Sequence, residues 1–68
     1  LKEITLKKNN PWVGHHIRDL DISRHSIIVL VKRGRRVMIP NGNMVLREHD
    51  MVILYTQSII SDGTDIEI

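Results

Sequence analysis

The sequence predicts an α+β domain: one short helix packed on a small, mainly antiparallel sheet, in the order β-α-β-β-(β)-β, formed to pair with a second copy of itself. Three observations predict it. Apolar and polar residues alternate over Leu1–Lys8, the pattern of a half-buried strand. Between Pro11 and Leu20 the apolar spacing becomes helical. Ile27-Ile28-Val29-Leu30-Val31 is apolar at every position, so both faces of that strand need cover.

Ile4 and Leu6 lie on one face of the first strand, with Glu3, Thr5 and Lys7 on the other. Asn9-Asn10-Pro11 then reads as a helix start, because Asn caps well and Pro suits the first helical position. Val13, Ile17 and Leu20 recur at i, i+4 and i+7 over a helix of about ten residues. Gly14 sits inside that span at a cost of ~1 kcal/mol, which predicts close approach to a neighbouring strand or ligand. Asp21 to Ser26 is a connector. Lys32 to Arg36 turns the chain around Gly34, and Val37-Met38-Ile39 returns as a strand. Pro40 ends its pairing, and Asn41-Gly42 is a turn dipeptide. Residues 43–50 read as an extended piece with a tight turn. Met51–Thr56 is the last clear strand, with Val52, Leu54 and Thr56 on one face and Met51, Ile53 and Tyr55 on the other. Residues 1–57 thus form the domain and 58–68 an acidic tail.

Size adds a constraint. A domain near 68 residues buries only ~60% of the surface its unfolded chain exposes. Hydrophobic gain and ordering cost nearly cancel at this scale. With no cysteine there is no disulfide, thiolate metal site or cysteine nucleophile. Sharing a core with a second chain is the expected remedy. One Trp, one Tyr and no Phe leave an aliphatic core and no stacking platforms for single-stranded nucleic acid. The longest apolar run is far too short to span a membrane. The chain begins with Leu1 and shows no signal peptide, so a piece of a longer protein, cytosolic and without enzymatic activity of its own, is expected.

Charge is unevenly distributed. Residues 1–57 carry all 10 Lys and Arg against five acids, and residues 58–68 carry three acids and no base. Lys32-Arg33-Gly34-Arg35-Arg36 is the densest basic stretch. Two readings stand: an anion-binding tip, or a solvated hairpin turn that keeps strand edges apart. Two also stand for Arg18 to Ser26. Arg18, Arg24, His25 and Ser26 can hold a phosphate, with Ile22, Ile27 and Ile28 flanking a purine. Equally, they are connector residues, with Arg18 offsetting the helix C-terminus. His15 and His16 diverge by about 100° on a helix and do not suit one metal. With His25 and His49 they complete the histidines, and no metal site is expected. No nucleophile elbow, P-loop or dinucleotide fingerprint is present.

Taken together, Glu3-Ile4-Thr5-Leu6, Asn10-Pro11-Trp12-Val13-Gly14, Ile17-Arg18-Asp19-Leu20, Ile27-Ile28-Val29, Lys32-Arg33-Gly34, Met38-Ile39-Pro40-Asn41-Gly42, Val45-Leu46, Asp50 and Val52-Ile53-Leu54 keep a known order. That order resembles the RCK-C or TrkA-C family, the C-terminal regulatory domain of proteins that control potassium conductance. The match covers about residues 3–56. His49-Asp50 stands where the family has Gly-Asp, and Trp12 is bulkier than the usual residue.

The resemblance implies a ligand-sensing domain at the cytoplasmic face of the cell membrane. Its partners would be a second copy and the membrane-embedded part of a bacterial ion channel or transporter. Parents of such domains include potassium uptake regulators, potassium or sodium antiporters and chloride channels. Some members bind cyclic di-adenosine monophosphate in the dimer cleft, where this chain has Arg18 to Ile28. The candidate ligand residues are therefore Arg18, Ile22, Arg24, His25, Ser26 and Ile27. No resident cofactor, metal or nucleic-acid partner is implied. The alternatives are a ligand-free oligomerisation module, or a basic domain that binds nucleic acid or lipid through Lys32 to Arg36.

Overall fold

In the computed structural model, which describes residues 1–57, β1 (Lys2–Thr5), β2 (Ser26–Arg33), β3 (Arg36–Met38) and β4 (Met51–Thr56) form one sheet. Its order is β1-β4-β2-β3, and every pairing is antiparallel. The two most apolar strands take the two central places, where both edges are paired. The tight β2–β3 hairpin turns at Gly34-Arg35, with Arg33 opposite Arg36 and Gly34 at φ 62°. The expected tail, 58–68, lies outside the described residues.

β2 is irregular at one point. Ile28 pairs with Leu54, but Leu30 pairs with Ile53, leaving Val29 as the extra residue of a bulge. The bulge shifts the inward–outward alternation by one residue. Ile28 and Val31, three apart, therefore both face the core, where they join Leu6, Leu46 and Val52 as its buried members. Ile4, Trp12, Val13, Ile17, Leu20, Ile22, Met38, Met44 and Leu54 pack around them. The opposite face has no cover within the described residues. Ile27 and Val37 are each 59% exposed, Tyr55 is 48% exposed and Val29 is 40% exposed.

The expected helix does not form, and the layer on the core face is made of loops. Among the described residues the only helical element is a 3-10 turn at Ile17–Asp19. Asn10 does cap, its Oδ1 accepting from the Trp12 N–H at 2.8 Å, but the capped segment is a turn rather than a helix. Gly14 has φ 88°, which takes the backbone out of the helical region after one turn. Beyond it, the backbone bonds mainly to residues 42–46. Gly14 N–H donates to the Leu46 carbonyl (2.8 Å), Leu46 N–H to His15 (3.1 Å), Ile17 N–H to Met44 (2.8 Å) and Arg18 N–H to Gly42 (3.1 Å). The helical spacing of Val13, Ile17 and Leu20 matched a segment whose hydrogen bonds a distant partner satisfies. The expected close approach to a neighbouring strand is also not found among the described residues, since a Cβ on Gly14 would meet none of their atoms within 4 Å. This glycine serves a positive φ. The extended piece at 43–50 contributes a single bridge, Val45 with His16, rather than a strand.

One buried ion pair ties this loop layer to the sheet. Asp50 is 1% exposed. Its two carboxylate oxygens accept from Arg33 Nε and Nη2, each at 2.8 Å, and Oδ2 also accepts from the Arg47 N–H at 2.9 Å. Arg33 Nη2 donates again to the Val45 carbonyl at 3.0 Å. The pair thus links β2, the 45–47 loop and the start of β4. Burial alone raises a carboxyl pKa, but here the Arg33 guanidinium and the Arg47 N–H outweigh it and hold Asp50 below its ordinary value of 3.8. Just before it, His49 takes φ 77°. That left-handed conformation explains why glycine suits this position.

Arg33→Met, which leaves a buried carboxylate without its partner, is expected to cost about 3 kcal/mol or more in urea unfolding. The double change Arg33→Met/Asp50→Leu is expected to recover part of that. Because the Asp50 carboxyl titrates lower in the folded state, its contribution is complete above about pH 5. It is lost as pH falls through the depressed folded value, and acid titration of wild type should show this loss while the double variant lacks it. His49→Gly is expected to stabilise by about 0.5–1 kcal/mol in the same assay, through relief of backbone strain.

Candidate ligand groove

A shallow groove of about 280 Å³ opens between the start of β2 and the 40–42 turn. Ile17, Ile22, Ser26, Ile27, Ile28, Pro40, Asn41 and Gly42 line it. Its lining is mainly apolar, with Ser26 and Asn41 the polar residues in it. Three local features hold it. The Ser26 N–H donates to the Ser23 carbonyl (2.9 Å), which closes the turn into β2. Ser26 Oγ lies 2.8 Å from Thr56 Oγ1 across the β2–β4 pair. Asn41 Oδ1 accepts from the Asn43 N–H at 2.8 Å, fixing the opposite turn.

Of the six expected ligand residues, Ile22, Ser26 and Ile27 line this groove. Arg18 stands at its rim. Its backbone bonds to Gly42, its Nη1 donates to Asn43 Oδ1, and its Cβ is 3.2 Å from where a side chain on Gly42 would begin. Arg24 and His25 are exposed on the preceding turn and line no wall. The His25 N–H bonds to Ser23 Oγ (3.1 Å), and its carbonyl accepts from the Gln57 N–H (2.8 Å).

Ile17, Pro40, Asn41 and Gly42 were not anticipated as lining residues. Pro40-Asn41-Gly42 was legible as a turn. Its place opposite Ile22 depends on the long-range pairing of Arg18 with Gly42, which no local pattern encodes.

A second groove, about 410 Å³, lies on the loop layer between Pro11, Trp12, His15, Asp19, Leu20 and Asp21. Two carboxylates on its wall oppose an anionic ligand, so phosphate chemistry favours the first groove. His16 Nδ1 is 3.8 Å from Asp19 Oδ2. Among the described residues no group of His, Asp and Glu converges as a metal site. No helix among them is long and apolar enough to cross a membrane.

The sheet order, the bulged β2 and the loop layer define the class to which this domain belongs. The chain superposes on a solved structure described as "Structure of RCK domain with cda" with a TM-score of 0.69, covering 84% of this chain and 79% of that one at 24% identity. That likeness establishes an RCK-type fold. More particularly, the chain belongs to the TrkA-C domain family, whose model matches residues 1–58. It is also 38% identical over 53 residues to the Trk system potassium uptake protein TrkA from two strains of Mycobacterium tuberculosis. The matched region is 78% of this chain but only 24% of those proteins, so the chain corresponds to one part of them.

Gly42→Ala is expected to push the Arg18 side chain off the rim by a few tenths of an ångström. The cost should be about 1 kcal/mol or less in thermal unfolding, with NMR shift changes concentrated at residues 17–18 and 41–43.

Proposed function

We propose that this domain is a ligand-sensing regulatory module of a potassium uptake system. In this reading it works as a homodimer at the cytoplasmic face of the membrane and has no enzymatic activity of its own. Its partner is the membrane-embedded part of the transporter. Ligand binding between two copies changes the angle between them and so biases the pore. The membership in the TrkA-C family and the likeness to TrkA proteins support the potassium assignment.

One observation carries the pairing and the ligand together. Ile27 lines the groove and is also part of the uncovered apolar face of the sheet. At about 280 Å³ the groove is smaller than the usual range for a bound small molecule. A second copy laid over Ile27, Val29, Val37 and Tyr55 covers the apolar face and deepens the groove at the same time. The proposed ligand is cyclic di-adenosine monophosphate. Ile22, Ile27 and Ile28 would flank a purine, and Ser26, Arg18, Arg24 and His25 would approach the phosphates. The solved structure of this fold described "with cda" supports a ligand-bound state for domains of this fold. A sensor of this type needs about 1–3 kcal/mol of coupling between ligand and arrangement.

Calorimetric titration with cyclic di-adenosine monophosphate should show saturable binding with one ligand for each pair of chains. Arg24→Glu should weaken it by at least about tenfold through lost phosphate contact, with the fold unchanged by circular dichroism. An intact dimer that gives no heat would identify a ligand-free oligomerisation module instead.

A further inference from the structure

The sheet register gathers basic residues at one end of the molecule. Thr5, Met51, Lys32 and Val37 form a single row across the four strands. The chain segments beyond that row are turns. From β1 the chain continues through Leu6 into Lys7-Lys8, and the turn bond from Asn10 N–H to the Lys7 carbonyl (2.8 Å) holds it there. Residues 47–50 reach β4 from the same side, because the Leu6 N–H donates to the Asp50 carbonyl (2.8 Å) and the His49 N–H to the Leu6 carbonyl (2.7 Å). The β2–β3 hairpin adds Lys32, Arg35 and Arg36.

Six cations from three segments of the sequence, Lys7, Lys8, Lys32, Arg35, Arg36 and Arg47, thus share one pole. All but Lys32 are exposed. Among the described residues none of the six is in an ion pair. Asp50 at this pole is already neutralised by Arg33, and Glu48 lies 3.5 Å from His49. The structure therefore corrects the basic stretch in two ways. Arg33 turns inward to the core pair, while Lys7, Lys8 and Arg47 join from elsewhere.

We propose that this pole docks on an anionic lipid surface. The shape favours a plane over a strand or groove-bound partner. The cations sit on the tips of separate turns, about three strand spacings or ~14 Å across, and neither groove includes any of them. Among the described residues no Trp, Tyr or Phe stands at this pole, since Trp12 packs against the core and Tyr55 lies toward the other end of β4. The pole lies at the opposite end of the sheet from Ser26, so docking leaves the groove open.

The test is co-sedimentation of the chain with phosphatidylcholine vesicles, with and without phosphatidylglycerol. Binding only to the anionic vesicles is expected, weakening steeply as salt is raised. Each cation reversed should reduce it by about fivefold or more. Arg35→Glu/Arg36→Glu and Lys7→Glu/Lys8→Glu should therefore each abolish it while circular dichroism shows an unchanged fold. Lys2→Glu, at the far end of the sheet, alters net charge equally per residue and should leave binding within about twofold. Equal binding to neutral vesicles, no binding to either, or a loss with Lys2→Glu as large per charge as at the pole would each overturn the proposal. So would tighter binding to duplex DNA than to the anionic vesicles, abolished by the same pole variants, which would assign the pole to nucleic acid.

Discussion

β2 has two apolar faces, and the described residues cover only one of them. The other features of this small domain stem from that constraint. A strand reading Ile-Ile-Val-Leu-Val over residues 27–31 cannot sit at an edge or face water without cost. It takes a central place in the sheet. The Val29 bulge then turns Ile28 and Val31 to the same side, concentrating the best packing on the face that the loop layer covers. Of the remaining apolar side chains, Ile27 and Tyr55 stand side by side on the other face. In the proposed function that surface is the meeting plane of two copies, and the groove beside Ile27 connects the plane to a ligand.

Covering the inner face without a helix places unusual demand on the loops. Segments 6–24 and 39–50 pair with each other through backbone bonds at residues 14–18 and 42–46, which gives a layer of irregular chain its own ladder. The Arg33–Asp50 pair anchors that layer to the sheet. A buried charge pair contributes little net stability compared with apolar replacements, but removing one partner leaves the other stranded. Its effect here is geometric. It holds residues 45–50 against the end of β2.

The strands were legible because their signals are local. Alternation at Ile4 and Leu6, the apolar run at 27–31 and the faces of Met51–Thr56 all translate directly into the observed sheet. The helix was not legible correctly. Val13, Ile17 and Leu20 have helical spacing, yet residues 14–18 find their hydrogen-bond partners some thirty positions away. Gly14 was the contrary signal: an interior glycine marks either close packing or a positive φ, and only the structure separates the two. The groove was half legible for the same reason. Ile22, Ser26 and Ile27 lie together in the sequence, whereas Pro40, Asn41 and Gly42 join them through tertiary pairing. His49 shows the reverse case. Its departure from the family's glycine marked a position that takes φ 77°.

Sedimentation equilibrium across the micromolar range most directly tests whether a twin molecule covers the outer face of β2. A two-chain species is predicted, with thermal unfolding that moves to higher temperature as protein concentration rises. Val29→Lys, aimed at that face and away from the core, should shift the species to one chain. A folded single chain at every concentration, with unfolding indifferent to concentration, would contradict the account.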